Sequence, residues 1–110
     1  MIFLPRSLAA WRTPAFRRVL REELAALPAS SFPLAAFVRR GDRPLSDDLG
    51  FEVEAVETEA DRPRARIGIH FDVLVACCSC GDEPVLEAGH ASLELEIDPQ
   101  DASVRLDPVL

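Results

Sequence analysis

The residues with the most chemistry in them lie between positions 77 and 90. Cys77, Cys78 and Cys80 are followed by Asp82, Glu83 and Glu87, and then by His90. Thiolate sulfur, imidazole nitrogen and carboxylate oxygen are the donors that a tetrahedral zinc ion takes. An antiparallel return through the segment 79 to 89 sets His90 across from Cys78, with paired Cβ atoms about 5 Å apart. Cys78, Cys80 and His90 with Asp82, or with Glu83 or Glu87 in its place, then form the candidate metal set, and zinc is the one candidate cofactor. His70 stays out of it, because eight residues of extended strand hold it ~26 Å from Cys78. The segment carries no C-x-x-C pair, and buried cysteines that act as small hydrophobes explain the thiols without any ligand. A reactive thiol needs positive charge beside it, whereas the neighbouring acids oppose the thiolate, which speaks against nucleophilic catalysis.

Arginines form the second set. Arg17, Arg18 and Arg21, with Arg39, Arg40 and Arg43, make the basic patch of the chain, suited to a phosphate or an acidic peptide. Cations near a helix C-terminus are favourable in any case, so a solvated helix face is the simpler account of them. Glu52, Glu54, Glu94 and Glu96 alternate with apolar residues and read as the wet face of a sheet. The pairs Asp47-Asp48 and Asp82-Glu83 lack the regular oxygen spacing of a calcium loop. There is no glycine-rich phosphate loop, no Ser-His-Asp arrangement and no H-E-x-x-H, so an enzyme is not the expectation.

The elements that must position these groups follow from periodicity. Thr13-Pro14 is a helix entry, and Phe16, Val19, Leu20, Leu24 and Leu27 recur at helical spacing until Pro28, which predicts a helix over 14–27. Leu34, Phe37 and Val38, ahead of Gly41, predict a second, short helix, and 42–50 reads as a loop. From Phe51 the period changes to two. Strands are expected near 51–55, over 64–78, over 93–97 and around 104–106, with a loop of about ten residues between the second and third. Ile67, Ile69, Phe71, Val73, Val75 and Cys77 share the face that meets the helices. Trp11 reads as a cap on the core. Together these predict a single α+β domain over 1–110, with two N-terminal helices packed on one face of a four-stranded antiparallel β-meander.

Composition sets the outer limits. A chain of 110 residues and 12.1 kDa, 48% hydrophobic and 28% charged, can bury about 65% of its surface without a disulfide or a metal. The net charge of −7 disfavours binding along a nucleic-acid backbone. Residues 1–43 carry eight Arg and three acids, whereas 44–110 carry four Arg and sixteen acids, so the front and rear are electrostatic complements. The opening Met1-Ile2-Phe3-Leu4 is too short for a secretory segment and no apolar run approaches a membrane span, so cytoplasmic residence without membrane contact is expected.

The stretch from Ile67-Gly68-Ile69 through Cys78-Ser79-Cys80-Gly81-Asp82-Glu83-Pro84 to Leu95-Glu96-Ile97-Asp98 resembles a group of small bacterial proteins without established activity, which share C-S-C followed by an acidic pair and Pro. Trp11, Phe16 and Phe32-Pro33-Leu34 fit as well. The resemblance implies a small α+β fold and carries over no functional residue. Cys77 stands where that group usually has Gly, and Ala91 where a further Cys often occurs, which breaks a three-thiol ligand set unless Cys77 or His90 substitutes. The expectation from the residues is a non-catalytic protein that acts by binding a protein partner or by self-association. The alternative is a thiol-based redox or zinc protein centred on Cys78 and Cys80.

Overall fold

A computed structural model of the chain describes residues 2–39, 42–45, 47–57, 61–75 and 85–109. The period-two stretches form an antiparallel sheet from β3 (Gly50–Val56), β4 (Arg64–Val75), β5 (Val85–Ile97) and β6 (Ser103–Pro108), each paired with the next in sequence. The expected four-stranded meander is therefore the body of the sheet. Two-residue strands extend it, giving six among the described residues: β1 (Ile2–Phe3) pairs with β6, and β2 (Arg43–Pro44) pairs with the far end of β4.

The helical layer departs further from expectation. The first predicted helix is α2 (Phe16–Ala25), which buries Phe16, Val19, Leu20 and Leu24. Thr13-Pro14 is not its cap: the helix begins at Phe16 with Ala15 at the N-cap and no side-chain cap, and Thr13 Oγ1 only accepts from Ala15 N at 3.3 Å in the turn before it. The predicted second helix, after Pro33, is not α-helical: Leu34–Phe37 is a 3₁₀ turn, and another, Ala29–Ser31, precedes it. Only Leu34–Phe37 lie between Pro33 and Val38, which is already extended, and four residues are too few for an α-helix to nucleate. An additional helix, α1 (Pro5–Ala9), precedes α2. Pro5 opens it at the first helical position, where a missing N–H costs nothing, rather than breaking the chain.

Both helices and the 3₁₀ turns cover one face of the sheet. Leu4, Phe16, Leu20, Leu24, Phe32 and Leu34 meet Ile67, Ile69, Phe71, Val73, Ala91, Leu93, Leu95 and Ile97 in one core. The odd-numbered residues of β4 are thus the buried ones, as their alternation requires; Cys77 lies outside the described residues. Glu23 of α2 joins the two helices. Its Oε1 accepts from Ser7 N (2.8 Å) and Ser7 Oγ (2.7 Å), and its Oε2 from Arg6 N (3.0 Å), so a remote carboxylate supplies the cap that α1 lacks locally. Ser7 is fully buried and satisfied there.

Length mismatch shapes the molecule. The twelve-pair ladder from Arg64↔Glu96 to Val75↔Val85 runs roughly 40 Å, whereas a ten-residue helix covers about 15 Å. The far end of the β4–β5 hairpin consequently outruns the helical layer, and residues 85–88 are exposed on both faces.

Candidate functional site

On the outer face of the sheet, alternation presents Arg64, Arg66, His70 and Asp72 from β4, and His90, Ser92, Glu94 and Glu96 from β5. The end nearest the β5–β6 turn is self-neutralised: Arg62 pairs with Glu96 (3.3 Å), Arg64 with Glu57 (3.5 Å) and Arg66 with Glu94 (3.6 Å). Exposed pairs of this kind contribute at most about 1 kcal/mol each.

The middle of the face is different. His70 and His90 are directly opposed in the β4–β5 ladder, with ring centroids 4.8 Å apart and ring planes at 46°. Glu52 of β3 lies beside this pair, its Oε2 3.4 Å from His70 Nε2. Between Val53 and Ala55 the β3–β4 register shifts, so Glu54 is the extra residue of a β-bulge, a feature that re-aims a side chain. Glu54 Oε1 accepts from Ser92 Oγ at 3.0 Å. Gly68 forms the floor between them. A Cβ there would lie 2.8 Å from His90 Nε2 and 3.2 Å from Glu54 Oε1. The imidazole of His90 and the carboxylate of Glu54 therefore lean over the one position on this stretch of β4 that has no side chain.

His90 was expected across from Cys78. Its observed partner is His70, eight residues before Cys78 in sequence, in the described ladder that runs from Arg64↔Glu96 to Val75↔Val85. Cys78, Cys80 and Asp82, the other members of the expected metal set, lie outside the described residues. Among the described residues, no three of His, Cys, Asp and Glu already converge on a point suited to an ion.

The arginines go to two places. Arg17, Arg18 and Arg21 line a hollow between α2 and β3 with Phe51 and Glu52. Within it Arg17 Nη1 donates to Val53 O (2.9 Å) and Arg18 pairs with Glu22 (3.3 Å). Arg39 instead borders a hollow with Val73, Val75 and Glu87 near the far end of the hairpin. Arg40 lies outside the described residues. Trp11 packs edge-on against Phe16, centroids 5.0 Å apart, at the margin of the core as expected.

A surface that the sequence did not single out lies at that far end. Val85 and Leu86 are each 59% exposed and pair with Val75 and Leu74. Asp72 and Glu87 border the four residues, as do Arg39 and Arg43, the latter paired with Leu74. The apolar character of Val85 and Leu86, inside what reads as a loop, was the available signal.

Comparison with protein-family models, with curated proteins and with solved structures gave no match. No helix of the described residues is long and apolar enough to cross a membrane.

Proposed function

We propose that the protein is a non-catalytic binding module that associates through the far end of its β4–β5 hairpin, with a second copy of the chain as the partner. The observation that carries this reading is the exposure of Val85 and Leu86, 59% each, beside the half-buried Val75 and Leu74 with which they pair, Val75 and Val85 on the inner face and Leu74 and Leu86 on the outer one. Exposed apolar side chains on both faces of one hairpin segment, rimmed by polar residues, mark an association site. The rim carries both signs, Arg39 and Arg43 against Asp72 and Glu87. A rim of mixed sign is self-complementary across a two-fold axis, where each patch meets its own copy. The wider split between a basic front and an acidic rear favours the same partner.

Two exposed apolar side chains on each copy, with the half-buried pair beside them, make a small interface at the transient end of the range, below ~1,200 Å² in total. Light scattering coupled to size exclusion, run across protein and salt concentration, tests the proposal. The expected result is a dimer fraction that rises with protein concentration and disappears in Leu86→Asp, whose circular dichroism matches the parent. A monomer at every concentration and salt overturns it.

A further inference from the structure

We infer that the outer face of the sheet holds a zinc-class divalent cation between His70 and His90, with Glu54 as a third ligand and Glu52 orienting the His70 ring. This site rests on observations separate from the hairpin end and draws on none of the thiols.

Two imidazoles facing each other across adjacent strands are the strongest donor pair among the described residues. A tetrahedral ion 2.0–2.1 Å from one nitrogen of each ring holds ring centroids roughly 5 Å apart. The observed separation is 4.8 Å. That separation, ordinary for opposed residues on neighbouring strands, lets both rings reach one ion once they turn toward it. Imidazole pairs with carboxylate suit zinc and its neighbours, and not the hard oxygen-seeking cations.

Glu54 and Glu52 have different parts. Glu54 comes near His90 because the bulge turns it toward Gly68, where its Oε1 and His90 Nε2 crowd the same missing Cβ, and Ser92 Oγ holds that oxygen at 3.0 Å. Glu52 Oε2 sits 3.4 Å from His70 Nε2. A carboxylate on one ring nitrogen leaves the other free to bind the metal and fixes the ring's orientation. The free arrangement is not yet a closed shell. The side chains that must rotate are exposed, His70 by 56% and Glu52 by 62%, so packing does not oppose the movement.

Gly68 gives an independent reason. It lies inside a regular strand, where glycine is otherwise unfavourable. What its missing side chain provides is room: His90 Nε2 and Glu54 Oε1 occupy the place that a Cβ would crowd. A glycine there lets a nitrogen and an oxygen donor approach the backbone from two different strands.

The test is titration of the full wild-type chain with zinc alone, followed through the ring-proton NMR signals of its two histidines. Both imidazoles are expected to shift together and saturate at one ion per chain. His70→Ala or His90→Ala should weaken binding by more than tenfold, since loss of a second-shell partner alone costs 10–100-fold. Gly68→Ala should weaken it at least tenfold while leaving the thermal midpoint at or above that of the parent. Zinc bound with the imidazole signals unmoved would place the ion on the thiols and overturn the inference. Signals that move independently, or fail to move, would overturn it too, as would Gly68→Ala binding zinc as tightly as the parent.

Discussion

Adding a single methyl group at Gly89 should unsettle the core, whereas the same change at Gly68 should not. Gly89 pairs with Phe71 on the face that meets the helices, and a Cβ there would lie 2.7 Å from Phe71 Cε2, 2.7 Å from Val73 Cγ2 and 3.0 Å from Phe71 Cζ. Phe71 and Val73 are 4% and 7% exposed, so neither can retreat into water. Inserting a methyl into such packing costs about 1–3 kcal/mol, offset by roughly 0.4–1 kcal/mol because alanine restricts the unfolded chain. The net loss is about 1–2 kcal/mol, which for a domain of this size lowers the thermal midpoint by roughly 5–15 °C. At Gly68 the atoms met are the tips of His90 and Glu54, which can swing outward, so Gly68→Ala gains the unfolded-state term and loses little. Thermal denaturation followed by circular dichroism, with urea midpoints as a second measure, compares the two variants. Gly89→Ala melting within a degree of the parent, or Gly68→Ala falling as far as Gly89→Ala, would refute the assignment of the two glycines to opposite faces.

Two further outcomes follow from the same coordinates. Glu23→Ala leaves the N–H groups of Arg6 and Ser7 and the buried Ser7 hydroxyl without their acceptor, and should cost about 2–3 kcal/mol in urea unfolding; a loss under about 0.5 kcal/mol would show that α1 does not depend on this cap. Asp101 accepts from the Ser103 hydroxyl and from Ser103 N–H (2.9 Å), which hold its carboxyl below the usual 3.8. A depressed folded-state value means a stabilising contribution that is present above pH 4 and lost as the pH falls through the folded value. Asp101→Asn should therefore flatten the acid limb of the stability–pH profile below pH 4, and an unchanged limb would remove Asp101 from that account.

Much of the sheet was legible because alternation states which side of a strand is wet. Ile67, Ile69, Phe71 and Val73 are buried and Glu52, Glu54, Glu94 and Glu96 face outward or half outward, as their spacing requires. Helix α2 was legible for the same reason at a different period. The short elements were not. Two-residue strands such as Ile2–Phe3 and Arg43–Pro44 have no periodicity to read, and exist because a neighbouring edge offers partners. Helix α1 spans five residues and is held by Glu23, sixteen positions beyond Ser7 in sequence, a contact no local pattern announces.

The site was less legible than the fold because it depends on register, and register depends on where a hairpin turns. Both histidines occupy even positions on strands whose odd positions are buried, so their common face was readable from the start. Their opposition was not. With β5 taken to begin near residue 93, the return placed His90 against residue 78; with Val85 and Leu86 inside the strand, they pair with Val75 and Leu74 and His90 falls opposite His70. Two apolar residues in an apparent loop thus decide which donors meet. A charged, exposed sheet face tolerates either register, since it loses no burial when it slips. The inner face does not: a shift of two residues would preserve its parity but move Gly89 off Phe71 and bring a side-chain-bearing residue against that ring. The close fit of Phe71 and Val73 over Gly89 therefore pins the register from within, and the outer pairing of His70 with His90 is its consequence.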